Sequence, residues 1–325
     1  MKPIGGYFEL ADREQGEFIH KDGVLLNTGR NALEWILLSI GCVKKVYLPY
    51  YTCDVVLEPL RRLHIPWQYY HINEQLEVAE DIQPGEDEYV IVNNYFGVKD
   101  AYIKKMVSLY GPKMIVDCAE AFFAPVEPGI KTFYSARKFV GVADGGIAYG
   151  IKGKLPEVED ESLSHSAHLF IRKELGAEAG FSIYQKDEEL LNNQPARKMS
   201  MFTHDILNHI DYCAVVKQRK QNYAYLEREL HSWNMLQLPE IDTFISPMAY
   251  PFMVANGVEL RKKLIEQKVF VPRFWPNEHI PEEHVNGYTL SETVLPLPVD
   301  QRYGDEEMER IINNIKLIQY GWEFS

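Results

Sequence analysis

The strongest constraint on how this chain folds is an alternation that runs through its N-terminal half. Short apolar runs, "VYLPY" ending at Tyr50, "WQYYHI", "EYVIVNNYFG" closed by Gly97, "KMIVDC", "IKTFYS" and "GGIAYGI", have the length and residue content of strands. Between them lie segments with helical spacing. One starts near Arg30 in "NTGRNALEWILL", one is "CDVVLEPLRRLH" with Val55, Val56, Leu60 and Leu63 on one side, and one is "DAYIKKMVSLYG", which stops at Gly111. Strands that alternate with helices imply crossover connections and a mostly parallel sheet covered on both faces. In open sheets of that kind ligands sit beyond the carboxyl ends of the strands. Asn93, Asn94, Asp117, Ser135 and Lys138 all fall just after predicted strands.

The rest of the chain follows a different pattern. "EVEDESLSHSAH" and "KDEELLNNQPARKMS", between Glu157 and Ser200, are polar and read as a mobile excursion or an arm that packs on a second subunit. A long helical pattern follows in "HDILNHIDYCAVVKQRKQNYAYLERELHSW". After it come "SPMAYPFMV", "GVELRKKLIEQK", "VFVPRFWP" and the acid-started amphipathic helix "DEEMERIINNIKLIQ". The expected organisation is a large domain over 1–210 and a smaller C-terminal α+β domain over 211–325.

Several function classes are disfavoured. The 325 residues carry a net charge of −13, from 34 basic and 47 acidic side chains. That balance lacks the basic footprint of a nucleic-acid binder, though it leaves room for a local phosphate pocket. Cys42, Cys53, Cys118 and Cys213 are scattered without a CxxC and read as reduced thiols. The histidines show no HExxH or paired ligand spacing, so no metal is expected, and His204, His209, His279 and His284 read as surface or packing residues. "KQRK", from Lys217 to Lys220, reads as the solvated face of a helix. No apolar run reaches membrane-spanning length and the N-terminus has no signal-peptide core, so a soluble cytoplasmic protein is expected.

Four pieces carry chemistry. Asn27, Thr28 and Gly29 precede a helix start, where free N–H groups and the helix dipole favour an anion and Arg30 could add a contact; alone, this is equally an ordinary capped helix with a surface arginine. Asp117 ends an apolar strand, where it suits either a cationic ring nitrogen or a helix N-cap. "YSARKFVGVADGG" sets Lys138 beside Arg137 and before Gly145-Gly146. A lysine nucleophile needs a neutral amine, which burial and a neighbouring cation such as Arg137 would favour; a solvated Lys-Arg pair is the plainer alternative. "LPYYTCDVV" offers aromatic or soft side chains that could lie against a flat ring, or simply pack in the core. In that order down the chain, a phosphate cradle, a flat-ring neighbour, an acid and a lysine together suit one ligand, pyridoxal 5'-phosphate (PLP).

With these motifs in that order, the chain resembles the DegT/StrS-type family of nucleotide-sugar aminotransferases from about Val24 to Leu317. "NTGRNAL" is similar to the family's Ser-Gly-Thr helix start, "VYLPYYTCDVV" to its Pro-x-x-Thr segment, "VDCAEAF" to its Asp-Ala-Ala-Gln-Ala stretch and "FYSARKFVGVADGG" to its lysine loop. "VNNYFG", "VFVPRFWP" and "VLPLPVDQRYGDEEMERIINNI" resemble further family segments. The resemblance implies an α/β fold of the PLP-transferase fold type I kind. It implies that Lys138 holds the cofactor covalently and moves the proton, and that Asp117 binds the pyridine nitrogen. Gly29, Arg30 and Asn31 would cradle the phosphate, with Ser135 as a phosphate or ring neighbour. Glu120 would lie near the ring's 3-oxygen, with Cys53 or Tyr51 against the ring.

The resemblance further implies a homodimer, an amino donor such as glutamate and a nucleotide-linked keto sugar as acceptor, in surface-polysaccharide or antibiotic-sugar synthesis, with no nucleic acid and no membrane. Several positions depart from the family pattern. Phe133 replaces a phosphate-binding serine, Cys53 a stacking aromatic, Glu120 a glutamine, and Lys198 in "PARKMS" an arginine. Two alternatives remain: a PLP-dependent dehydratase, in which the lysine position resembles histidine, and a non-catalytic relative that binds a nucleotide sugar.

Overall fold

A computed structural model describes residues 2–151, 156–275 and 285–323; His279 and His284 lie outside them. The strands are β1 (Ile4–Gly5), β2 (Val24–Leu26), β3 (Lys45–Pro49), β4 (Trp67–Tyr70), β5 (Glu88–Asn93), β6 (Met114–Cys118), β7 (Lys131–Ser135), β8 (Gly146–Tyr149), β9 (Ala249–Met253), β10 (Val269–Phe270) and β11 (Val294–Pro298). The helices are α1 (Gly29–Ile40), α2 (Leu57–Arg62), α3 (Asp100–Tyr110), α4 (Ala167–Leu175), α5 (Ala177–Leu190), α6 (Met201–Leu207), α7 (Tyr212–Leu230), α8 (Gly257–Glu266), α9 (Val285–Thr293) and α10 (Asp305–Glu323). No helix among the described residues is long and apolar enough to cross a membrane.

The central sheet has seven strands in the order β2-β8-β7-β6-β5-β3-β4. β4, β3, β5, β6 and β7 pair in parallel, each reached through a crossover, and only β8 runs against its neighbours. The chain between β7 and β8 is too short for the dozen or more residues that a parallel return needs, so it folds back antiparallel. That short return is the lysine loop. The strand order reverses between β3 and β5, and the crevice at their carboxyl ends is where an open sheet takes its ligand.

Both faces of the sheet are buried, which explains the near-continuous apolar runs. Ile91, Ile115 and Phe133 point into one layer with Leu33, Ile36 and Leu37 of α1. Their neighbours Val90, Val92, Met114, Val116 and Tyr134 point into the other. Phe133 therefore fills core on the α1 side, and Ser135, two residues on, carries the same face out to the sheet edge.

The polar stretch from Glu157 to Ser200 holds a helical hairpin, α4 and α5, hinged at Gly176, clamped to the chain's own N-terminal segment. The Tyr7 hydroxyl donates to Ala177 O at 2.7 Å, the Tyr7 ring stacks on Tyr184 at 4.7 Å, and Arg172 donates to Glu9 and Gly5 O. His168 Nδ1 lies 2.6 Å from Asp187 Oδ2 inside the hairpin. The long helix expected after it is broken: α6 ends at Leu207, and the Asp211 side chain accepts from Ala214 N to start α7. β9 and β11 form an antiparallel pair, and β1 reaches across to pair with β10 in the C-terminal part.

The "KQRK" stretch departs from expectation at Arg219, which is fully buried. Its guanidinium donates to Gln301 Oε1 and to the carbonyls of Pro247, Met248 and Phe139, and it lies 4.7 Å from the Phe139 ring centroid. Burial pushes its pKa down to about 10. Neutral acceptors from three segments satisfy a charge that polarity alone would place in solvent. Replacing Arg219 by Met takes this donor from the Pro247 and Met248 carbonyls and from Gln301 Oε1, and the midpoint of denaturant unfolding should fall by the equivalent of about 3 kcal/mol; an unchanged midpoint would mean the guanidinium is structurally idle.

Candidate active site

Thr28, just after β2, caps α1: its Oγ1 accepts from Asn31 N at 3.2 Å. The N–H groups of Gly29 and Arg30 belong to the first turn, which a helix leaves without intrahelical acceptors. The lysine loop is pressed against this turn. Gly145 N donates to Asn27 O at 2.6 Å, and a Cβ on Gly146 would stand 2.0 Å from Thr28 O and 2.9 Å from Gly29 N. Only glycine allows that approach, so the Gly-Gly pair fixes the helix start beside the loop that carries Lys138. Ser135 completes the turn, its Cβ 3.5 Å from where a Gly29 Cβ would be. Asp144, the acid before the pair, turns away from the cavity to accept from Ser200 N, Ser200 Oγ and Thr203 Oγ1 at the start of α6.

Gly29, Cys53, Asn93, Asp117, Glu120, Ser135 and Lys138 line a single cavity of about 1100 Å³ at the carboxyl edge of the sheet. Asp117 is buried, and its Oδ1 accepts from Ala119 N at 2.8 Å. Burial, with help from Glu120, pushes its carboxyl up to about 6, while the Ala119 N–H and Lys138 hold it down. Lys138 Nζ lies 3.3 Å from Glu120 Oε1. Burial presses the lysine towards the neutral amine, but the charge of Glu120, then Cys53 and Asp117, outweighs it and raises its pKa above the ordinary value. Burial likewise raises the Cys53 thiol against the pull of Lys138.

Three expectations are corrected. Arg137 does not depress the lysine: its guanidinium pairs with Glu188 on α5, and the lysine's surroundings are acidic. Arg30 lines the cavity, yet its guanidinium is occupied by Glu58 at 2.5 Å and Asn192 at 3.0 Å rather than free for an anion. The Asn31 side chain is bonded to Thr28, Glu34 and Gln194 O, away from the cavity.

Tyr51 also lies behind the wall, fully buried between Tyr95 and Trp275. The aromatic surface near the lysine comes instead from Phe274 and Trp275, whose ring centroids are 5.4 and 5.8 Å from Lys138 Nζ. The sequence signal for these was "RFWP". Asn93 donates to Thr52 Oγ1 at 3.1 Å across the reversal point, while its own Oδ1 is buried without a partner among the described residues, as is the Tyr51 hydroxyl.

Neither protein-family models nor curated proteins match this sequence. Solved structures do. A Streptococcus pneumoniae protein described as a sugar aminotransferase, in its apo-form, superposes with a TM-score of 0.67 at 16% identity, over 98% of this chain and 92% of that one; its PLP-form gives 0.64 at the same identity, over 98% and 93%. The protein DesI, in the presence of its TDP-sugar product, gives 0.61 at 15%, over 91% and 80%. A DegT DnrJ EryC1 StrS aminotransferase from Brucella abortus gives 0.60 at 12%, over 91% and 85%. At these identities the likeness establishes the fold, and this chain has the fold of those aminotransferases.

Asp117 gives this site a pH signature. Its carboxyl titrates near 6 in the folded chain and at the ordinary 3.8 when unfolded, so the folded state binds the proton more tightly. Below about 4 both states carry it; between about 4 and 6 stability falls as pH rises, by on the order of 3 kcal/mol in all. Denaturant unfolding of the cofactor-free protein across this range should lose that component on Asp117→Asn; identical pH profiles would place the proton elsewhere.

Proposed function

We propose that the protein is a PLP-dependent sugar aminotransferase, taking an amino group from a donor such as glutamate and delivering it to a keto sugar carried on a nucleotide. The observation that carries this reading is one cavity, at the strand-order reversal of a parallel sheet, lined by a lysine, a buried acid and an open helix start. The fold likeness supports it, as do the sugar aminotransferase descriptions and bound PLP among the neighbours.

The residues present suit the cofactor. Asn93, the acid Asp117 and the amine of Lys138 border one space, and the Gly29 and Arg30 N–H groups with the Ser135 hydroxyl offer donors for a phosphate. When bound, PLP supplies an electron-poor ring that stabilises negative charge on the carbon next to the migrating nitrogen. Asp117 would hold a proton on the ring nitrogen and so keep the ring electron-withdrawing. Lys138 Nζ would hold the cofactor and would serve as the group that holds or passes the proton there. Phe274 and Trp275 set apolar ring surface beside that nitrogen. The TDP-sugar product with DesI supports the nucleotide-linked acceptor. A division into 1–210 and 211–325 supplies the two walls.

A homodimer is part of the same reading. Leu163, Leu175 and Met201 are 83%, 73% and 74% exposed, and Phe170 and Phe202 lie exposed on the same run of helices, apolar side chains that a second copy would cover.

The purified protein should turn yellow with PLP, with the colour fixed by borohydride on the peptide carrying Lys138, and mass spectrometry should find an amino sugar from a nucleotide-linked keto sugar plus glutamate. Lys138→Ala should abolish both the fixed chromophore and turnover. Asp117→Asn should keep the attachment and slow turnover by about 100-fold or more. A colourless protein that takes up no PLP, or a deoxy sugar as product, would overturn the assignment.

A further inference from the structure

The carboxylate of Glu120 is buried, and its two oxygens are used differently. Oε2 accepts from Phe96 N at 3.1 Å, and Oε1 faces Lys138 Nζ at 3.3 Å. The Phe96 N–H is aimed by its backbone, which sits in the left-handed region at φ 55, unusual for a side chain of that size. The next residue, Gly97, packs so closely that a Cβ would stand 2.7 Å from Ser246 O and 2.9 Å from Glu120 O. Phe96 O accepts from Met248 N at 2.7 Å. With one oxygen pinned by this backbone, the other has little freedom but to face the lysine.

The carboxylates around Lys138 agree in sign, and the Cys53 thiol beside them is kept neutral by burial. Glu120 comes from the turn after β6, Asp117 from the end of β6 and Cys53 from the turn after β3, while Phe274 and Trp275 present rings. Arg137, the adjacent cation, is taken by Glu188. Around Glu120 itself, Tyr51 and Tyr95 are the other titratable neighbours, and both are kept neutral by burial.

We propose that Glu120 is a positioning residue that keeps the Lys138 nitrogen protonated, both before the cofactor is taken up and while it is attached. This rests on the reading of Lys138 as the cofactor's anchor. A proton held on that nitrogen makes the carbon bonded to it more electron-poor and readier to accept the donor's amine. A glutamine could keep the Phe96 hydrogen bond but would bring no charge to hold the proton.

The visible absorption of the PLP-loaded protein reports whether this nitrogen is protonated, so its pH midpoint reads the proposal directly. Glu120→Gln should lower the midpoint by about 1 to 3 pH units, because an opposite charge at this distance is removed. Glu120→Asp, which keeps the charge but withdraws it by one methylene, should lower it by less. An unchanged midpoint in the Gln variant overturns the proposal; if that variant does not fold, a wild-type midpoint in the Asp variant overturns it. A cofactor-free arm reads the same proton. Reductive methylation of Lys138 near pH 8, followed by peptide mass spectrometry, should be about 10-fold faster or more in Glu120→Gln, and equal rates overturn the proposal. Absence of a borohydride-fixed chromophore in the wild type would overturn the anchor reading instead, so the two failures are told apart.

Discussion

Everything at the site depends on how closely two backbone turns approach each other. Gly145 donates to Asn27, and Gly146 lies where any side chain would strike Thr28 O. That contact joins the start of α1, with its open N–H groups, to the loop that carries Lys138. The loop reverses β7 into β8 because it is too short to cross over. The single antiparallel strand in the parallel run is therefore the means by which a lysine and a helix start come to border one cavity. The same contact explains why Ser135, at the end of β7, emerges beside Gly29.

A second set of bonds holds the lysine's surroundings from the other side. Glu120 is tied to Phe96 N, Phe96 O to Met248 N, Met248 O to Arg219, and Arg219 to Phe139 O, one residue past Lys138. Gln301 also donates to Phe139 O, at 2.8 Å. The bonds form a circuit that returns to the residue beside the lysine. Each buried polar group in it is satisfied by the next, and a network of that kind specifies geometry because every member is costly to leave unmade. Arg219 brings residues from α7, from the turn before β9 and from the turn after β11 into this circuit.

Much of this was legible in the sequence where local patterns decide structure. The apolar runs gave the strands, since both sheet faces are buried, and the rule for strand ends placed Asp117, Ser135 and Lys138 at the carboxyl edge. What escaped detection was decided by pairing between distant residues. Arg137 follows Ser135 and precedes Lys138, which suggests a cation acting on the lysine, but its partner is Glu188, on a helix whose packing no local pattern reveals. Arg30 is drawn off by Glu58, and Asn31 by Thr28, Glu34 and Gln194. Arg219 looks like surface charge because its acceptors are carbonyls, which leave no trace in a sequence. The polar content of 157–200 hid a hairpin because its few buried aliphatics, Leu169, Ala177 and Leu191, are joined by the polar-tipped rings of Tyr7, His168 and Tyr184.

The charges of the cavity also say what kind of molecule completes it. Asp117 is held near 6, partly neutral, because burial costs it more than Lys138 and the Ala119 N–H return. Glu120 and Asp117 both draw on the one lysine, which is why its amine is raised rather than lowered. A ligand that brings a positive edge to Asp117 relieves the acid without taking the lysine from Glu120. On the other side, the helix start at Gly29 and Arg30 offers N–H groups, with Ser135 beside it, which suits a negative group. The site is thus complementary to a flat molecule with a cationic edge and an anionic arm. A neutral ligand would leave the charge of the buried acid and the N–H groups of the helix start unmatched, so the polar floor of the cavity favours a charged one.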